Sequence, residues 1–592
     1  VDIAPARGTE TRTLLLIVWL ATVATYLFTG LRGGDLLSTD DAMRLVEIRD
    51  LLAGQSWFDL TQYRLNPPDG VVMHWSRLID LPLAALIRAG ALGLPQAAAE
   101  HVATIVWPAA LLLVLLAGIA QLARELAGDA AARLALIFCA LLAPVLQHFR
   151  PGAIDHHNVQ LALLVWSLAL AARPQPRDAA LAGVLCALSL AVGQELAPGI
   201  AILAAMMAVR WVVQGEPARP ATAAFACAFA GGTLVLFAAT VAPAHYAVAS
   251  CDALSVVQVV AAGVGGAGLA ALTSMRGLRS AGRRLAGIVA LGLLLGATVA
   301  MAFPACLGDP VAQSDPRITA LWLAKVSESR SILALLRDMP QEVLPYYGLP
   351  AAGLVFGAVR CLRERGQQRW SWMAVVAVLA VLTIVAIWQV RGAAAANAVA
   401  AALIPAALMR VFQGPNDRTI FLGLGRAVLI AAFFLNPLAL LAAGAVTARA
   451  LAIANDTPRR AVIADGPGTC RRTADYAPLA RLPRGLVLAF IDAGPFLLME
   501  TPHAVLAAPY HRNTAGNGAM LDVFLAAPNE AAARMQALGV DYVAFCAGAP
   551  DRYNYAASAP DGLVAVLSRG EVPDFLMPIA LAGTDLTVYR RR

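Results

Sequence analysis

Residues 14–31, LLLIVWLATVATYLFTGL, are followed within a few positions by Ser38-Thr39-Asp40-Asp41-Ala42-Met43-Arg44. The apolar run is long enough to cross a bilayer as a helix, too long for a signal-peptide core, and lacks a small-residue cleavage site. It reads as a first membrane span whose amino terminus, carrying Arg7 and Arg12, stays inside. Two adjacent acids directly beyond such a span are costly unless solvated, paired or bound to a cation.

The same pattern of apolar runs and short Arg-rich loops recurs along the chain. Of 592 residues, 59% are hydrophobic and 14% charged, against about 25% charged in soluble proteins. Further spans are expected at 101–123, 132–147, 158–172, 179–192, 198–213, 221–242, 255–274, 285–303, 347–359, 372–388, 394–411 and 420–448, about thirteen in all. The fold class is therefore mainly α, a polytopic membrane protein.

The formal charge of +7 does not mark a nucleic-acid binder. Only Lys325 is a lysine, and the arginines cluster at 124–133, 173–177, 210–219, 276–284, 360–369 and 410–418. These are alternate loops, all inside by the count, as the positive-inside rule requires. No basic stripe with interleaved aromatics accompanies them, so nucleic acid is not an expected partner.

This topology leaves three outer pieces, at 32–100, 304–345 and 449–592, and predicts a membrane domain over 1–448. All eight histidines fall on or beside that outer side. The tail from 449 is richer in Pro and Gly. Runs at 485–491, 540–546, 563–567 and 586–589 read as strands and 530–538 as a helix, giving a small outer α/β domain. Cys251 and Cys306 lie in outer loops, and Cys470 and Cys546 in the tail. An oxidising periplasm would permit two disulfides, whose pairing the sequence leaves open.

Six places could carry chemistry. Asp40 and Asp41 open the first outer loop, although either could simply cap a helix over 42–52. The same loop continues Pro67-Pro68-Asp69-Gly70-Val71-Val72-Met73-His74-Trp75-Ser76-Arg77, turn chemistry beside an interfacial aromatic. Asp155-His156-His157, in the tight turn between the third and fourth spans, can offer carboxylate and imidazole to one divalent cation; surface histidines beside a helix cap are the plainer alternative. Glu328 sits among Ser and basic residues in the fifth outer loop, and Arg391 is a fixed cation at headgroup level that either snorkels or pairs with phosphate. Glu195, in Gly193-Gln194-Glu195, is a weaker candidate.

In their order and shared side these residues resemble the GT-C superfamily of membrane glycosyltransferases, and within it the catalytic subunit of oligosaccharyltransferase, most closely the archaeal form. The resemblance spans nearly the whole chain. Asp41, or Asp40, matches the family's Asp after span one, and Asp155-His156-His157 its second acidic motif. Pro68-Asp69-Gly70-Val71-Val72-Met73-His74-Trp75 is similar to the Pro-x-Gly-x-x-x-His-Trp stretch of archaeal members. Lys325-Val326-Ser327-Glu328 takes the place of the family's loop motif ending in Glu, and Arg391 that of its phosphate-contacting Arg. The tail motif Trp-Trp-Asp departs: Phe490-Ile491-Asp492 stands there, and Phe with Ile cannot build a pocket of two indoles, so transfer to asparagine does not follow.

The resemblance implies a GT-C fold and metal-assisted, inverting transfer of a sugar or oligosaccharide from a polyprenyl phosphate or pyrophosphate donor to a glycan, lipid or protein acceptor. Asp41, Asp155 and His157 would hold a divalent metal (Mg, Mn or Zn), Arg391 and His74 would contact donor phosphate, and Asp41 or Glu328 would act on the acceptor. Asp40, His156, Glu195 and Asp492 are secondary candidates. The expected location is the bacterial inner membrane, among membrane lipids, with the site and tail periplasmic. The competing readings are a polytopic transporter or lipid-linked glycan flippase, which would place its ionisable residues near the bilayer midplane or in repeated halves, and a non-catalytic scaffold.

Overall fold

In the computed structural model, residues 7–30, 38–308, 315–412, 470 and 472–592 are described. The expected span 420–448, the start of the tail at 449 and most of the loop 410–418 lie outside the described residues. The chain divides into two compact units: Val1–Arg32 with Glu100–Gly308 and Arg330–Thr457, and Gly33–Ala99 with Asp309–Ser329 and Pro458–Arg592.

The first unit is helical. Nine helices among the described residues are long and apolar enough to cross a membrane. They coincide with nine of the runs read from the sequence, because a continuous apolar run in lipid must satisfy its backbone internally. Three expected spans are shorter or broken. Run 158–172 is the helix His157–Ala171 and run 179–192 the helix Pro176–Val192. Run 132–147, expected as one span, is two segments, Asp129–Cys139 and Ala143–Phe149, bent by 73°. Pro144 in the first turn of the second segment starts a new helix instead of prolonging the old one.

Small residues set the packing. The helix Gly392–Phe412, rich in Ala, is almost wholly buried, with 94% of its apolar window inside. A Cβ at Gly183 would stand 2.5 Å from the Phe225 carbonyl, so only Gly lets Pro176–Val192 approach Arg219–Thr240 this closely. The helix Ala281–Ala302 has no buried residue in its apolar window and presents Leu285, Val289 and Leu293 outward.

Two arginines of the loops between apolar runs finish helix ends. Arg410 donates from Nε and Nη2 to the Leu126 carbonyl (both 3.2 Å), and Arg284 from Nε and Nη2 to that of Val212 (3.2 and 3.1 Å). Each satisfies a last-turn carbonyl and opposes the negative end of the helix dipole. Cys251 and Cys306 form a disulfide.

The second unit combines the first outer loop, a short later segment and the tail. In the loop, helices Thr39–Leu52 and Arg77–Gly90 are locked by a buried ionic quartet: Arg44 Nη1 donates to Glu47 (3.0 Å) and Asp80 (2.7 Å), and Arg77 Nη1 to Asp80 (3.0 Å). Two guanidinium and two carboxyl groups in one dry cluster compensate one another's lost hydration. In the tail a five-stranded sheet runs Ala504–Val505, Leu486–Ala489, Val540–Phe545, Thr587–Arg591, Leu576–Ile579, the first two pairings parallel and the last two antiparallel.

Three of the four strands read from the sequence are present. The fourth, 563–567, is instead part of a helix, Leu563–Ser568. All five of its apolar residues are buried, so the run had no alternation to tell helix from strand. The expected helix is Pro528–Leu538, ended by Gly539 in the left-handed region (φ 69°). Cys470 is bonded to Cys546.

Loop and tail are stitched together. Leu65 bridges in parallel to Val505 and covers the sheet edge. Arg64 donates to the carbonyls of Leu498 (2.8 Å) and Thr501 (2.9 Å), and Arg49 to that of Met499 (2.6 Å), closing the helix Gly494–Glu500.

Candidate functional site

In the first unit the polar turn expected to carry chemistry is built from two interhelical connections. Asp155, His156 and His157 precede and begin the helix His157–Ala171, and Glu195 lies between Pro176–Val192 and Ala197–Gln214. Asp155 is bound to His157 twice: Oδ1 accepts from the His157 backbone N–H (3.0 Å), and Oδ2 lies 2.9 Å from Nδ1. His156 Nε2 is 3.0 Å from Glu195 Oε1, and Gln160 Nε2 donates to Glu195 Oε2 (2.9 Å). The imidazoles are stacked, His156 on His157 at 4.5 Å and His157 on His148 at 5.3 Å between centroids.

Burial pushes the Asp155 carboxyl up. The charge and hydrogen bond of His157, with His156 and His148 beyond it, outweigh that and hold it well below the usual carboxylate range. Glu195 behaves alike: burial raises it, and His156 by charge and hydrogen bond, with His157 further off, brings it well below. Both acids are therefore carboxylates at neutral pH.

In the second unit Asp40 and Asp41 stand in the first turn of Thr39–Leu52, but neither caps it. Ser38 does: its Oγ accepts from the Asp41 backbone N–H (3.1 Å) and donates to Asp41 Oδ2 (2.8 Å). The cap alternative for the two acids is thereby replaced, because the hydroxyl already fills that role. Asp41 is buried, at 2% exposure. Tyr510 donates to the Thr39 carbonyl (3.2 Å) and meets Trp75 edge-on, while Arg44 lies 4.7 Å over the Trp75 ring. Burial, with the Asp40 and Glu47 carboxylates, pushes the Tyr510 phenol well above its ordinary range and keeps it a donor.

The other candidates are placed as follows. His74 contacts the ring of His511 at 4.7 Å between centroids, and Arg512 Nη1 ties that turn to the Met73 carbonyl (3.3 Å). Asp492 is exposed in the turn Ile491–Ala493 and accepts from the Trp322 indole N–H (3.1 Å). Glu328 is exposed in the turn Ser327–Ser329. Arg391, in the first unit, is exposed at the start of Gly392–Phe412, without a hydrogen-bonded partner among the described residues. Asp155, His156, His157 and Glu195 thus gather in one unit, and Asp40, Asp41, His74, Glu328 and Asp492 belong to the other.

Sequence reasoning missed Gln160, Trp322, Tyr510, His511 and the quartet around Arg44. Spacing held some of the signal. Gln160 is four residues after His156, hence on its helix face, and Arg44-Glu47 and Arg77-Asp80 are i,i+3 pairs. Trp322 and Tyr510 meet their partners only through the tertiary fold.

The fold is similar to that of solved archaeal oligosaccharyltransferases. The archaeal oligosaccharyltransferase AglB from Archaeoglobus fulgidus, solved with an inhibitory peptide and a dolichol-phosphate, is similar over 100% of this chain and 75% of its own, with 17% identity and a TM-score of 0.68. The oligosaccharyltransferase of the same organism tethered to an acceptor peptide containing the NVT sequon covers 98% of this chain and 74% of its own at 17% identity and TM-score 0.67. Its complex with Zn and sulfate covers 98% and 73% at 17% identity and TM-score 0.62. No protein-family model and no curated protein sequence matches the chain.

Proposed function

We propose that the chain is a membrane glycosyltransferase that moves a sugar or oligosaccharide from a polyprenyl phosphate or pyrophosphate donor to an acceptor on the periplasmic side of a bacterial inner membrane. The observation that carries this reading is the Asp155–His157 pair, held in a turn between membrane helices of a chain with this fold. A transporter would carry such groups in broken helices near the midplane; Asp155 and Glu195 lie in interhelical turns.

The donor set fits a divalent cation. His157 Nδ1 and the Asp155 carboxylate lie side by side, and imidazole with carboxylate is a donor pair that a divalent cation takes. Asp155 and His157 would hold the ion, which would supply charge neutralisation at the leaving phosphate. A neighbour solved with Zn and sulfate, and one solved with a dolichol-phosphate, support a divalent cation and a lipid-linked phosphate as the bound groups.

The chain's residues perform the displacement as follows. Arg391 binds the donor phosphate oxygens. The acceptor oxygen or nitrogen attacks the anomeric carbon from the face opposite the leaving group, the bond from that carbon to the phosphate oxygen breaks, and configuration inverts. For a hydroxyl acceptor, Asp41 or Glu328 takes the proton; for an amide, the same carboxylates orient and polarise the NH2 group and one of them takes the proton that the nitrogen loses as it bonds to the anomeric carbon. Asp492, which accepts from the Trp322 indole N–H, is a secondary candidate.

The test is transfer from a labelled polyprenyl-linked donor by the full chain in lipid nanodiscs, with and without divalent cation. Wild-type transfer that Asp155→Ala abolishes supports the reading. Transfer unchanged in Asp41→Ala, Asp155→Ala and Glu328→Ala overturns it.

A further inference from the structure

We propose that Glu195 is a positioning residue for the Asp155–His157 pair, acting through His156, and that Gly193 is the residue that makes room for it. The inference rests on the reading of Asp155 and His157 as cation ligands given above.

Glu195 has both carboxylate oxygens engaged, Oε1 at 3.0 Å from His156 Nε2 and Oε2 accepting from Gln160 at 2.9 Å. His156 is 3% exposed, and its ring lies on that of His157 at 4.5 Å with 26° between planes. His157 is covered on its other side by His148, at 5.3 Å and 20°, and held at Nδ1 by Asp155. The central imidazole can turn only by breaking one of these contacts. Glu195 fixes the first ring of the pile, and the pile fixes His157.

Gly193 shows that the arrangement is built for the carboxylate. Its φ of −175° is extended backbone that any residue adopts, so the glycine is not required by the chain path. A Cβ there would stand 2.5 Å from Glu195 Oε2, 2.7 Å from Gln160 Nε2 and 3.2 Å from His156 Cδ2, so any larger residue displaces these side-chain ends. Glu195 folds back over Gly193 to reach His156. The turn is braced besides, Gln194 donating to the Leu190 carbonyl (2.7 Å) and accepting from Gln258 (3.3 Å). Groups that orient a ligand imidazole from outside the coordination shell typically change metal affinity about 10- to 100-fold when removed.

The experiment is a Mn2+ titration of the full chain in lipid nanodiscs, followed by electron paramagnetic resonance, with no donor or acceptor present. Wild type should bind one ion that Asp155→Ala loses. Glu195→Ala should weaken binding about tenfold or more, Gly193→Ala should weaken it although the carboxylate remains, and Glu195→Gln, which can still bridge His156 and Gln160, should recover most of the affinity. In a His156→Gln background Glu195→Ala should cost nothing further, since both changes cut one chain of contacts. Wild-type affinity in Glu195→Ala, or an undiminished loss in the His156→Gln background, overturns the positioning role while Asp155→Ala keeps the ligand reading intact. Equal binding by wild type and Asp155→Ala removes the ligand reading and this inference with it. If Glu195→Ala does not fold, Gly193→Ala and Glu195→Gln carry the test alone: wild-type affinity in Gly193→Ala, or no recovery in Glu195→Gln, overturns the role.

Discussion

The indole N–H of Trp322 donates to the carboxylate of Asp492 at 3.1 Å, joining a segment before residue 330 to a turn of the tail domain. Trp322 is 9% exposed, so its N–H would be left without water on losing this acceptor. Trp322→Phe keeps the ring and removes the donor. With a hydrogen bond to a charged group contributing about 1 kcal/mol at a partly exposed position, amide hydrogen exchange over Pro316–Leu321 should quicken about fivefold. Unchanged exchange would show that Asp492 does not hold the segment.

Four ionisable groups buried between two helices make the loop after the first apolar helix sensitive to single changes. Asp80 accepts from both Arg44 and Arg77. Asp80→Ala leaves two buried guanidinium groups facing one carboxyl and should destabilise the second unit by about 3–5 kcal/mol. Chemical denaturation followed by the fluorescence of Trp75, stacked under Arg44, reads this directly.

Glu47 gives the same unit a pH dependence. Burial pushes its carboxyl from 4.5 up to about 8, more than Arg44 lowers it. A folded value above the unfolded one means that the protonated side chain favours folding. That contribution is complete below pH 4.5 and disappears as pH rises through about 8. The melting temperature of the second unit should therefore fall between pH 6 and pH 9, and Glu47→Gln should flatten that fall. A Glu47→Gln profile as steep as wild type would place the dependence elsewhere.

Cys470 and Cys546 are 76 positions apart in sequence and bonded in the tail domain. Closing a loop of that length restricts the unfolded chain by about 4 kcal/mol in the chain-entropy treatment. Replacing both by Ser should lower the melting temperature of the second unit, and adding reductant to that variant should lower it no further through this bond. Equal melting temperatures in variant and wild type would contradict the estimate.

What could be read from the sequence follows from what the solvent imposes. Lipid demands long apolar runs, so nine helices of the first unit were legible, while their ends were not, as the run 101–123 is the helix Gln96–Ala127. The bend before Pro144 was signalled by its proline, yet the run 132–147 is apolar on both sides of it. The helix Leu563–Ser568 was misread because complete burial erases periodicity. At the candidate site, Asp155 and His157 were legible because they are neighbours in the chain. The stack of His148, His156 and His157, the anchoring of His156 by Glu195, and the approach of Trp322 to Asp492 required the fold. His503 shows the converse: counted among the outer histidines, it is buried, bonded to the Leu479 carbonyl and the Gly485 N–H, and serves packing alone.

The contrast between the helices Gly392–Phe412 and Ala281–Ala302 bears on how the protein responds to its membrane. The first is enclosed by other helices, and the second has no buried residue in its apolar window. Changes in bilayer thickness cost fractions of a kcal/mol per ångström, and they act on helices that touch lipid. Thicker or thinner membranes should tilt Ala281–Ala302 first and leave Gly392–Phe412, with Arg391 at its start, at constant depth.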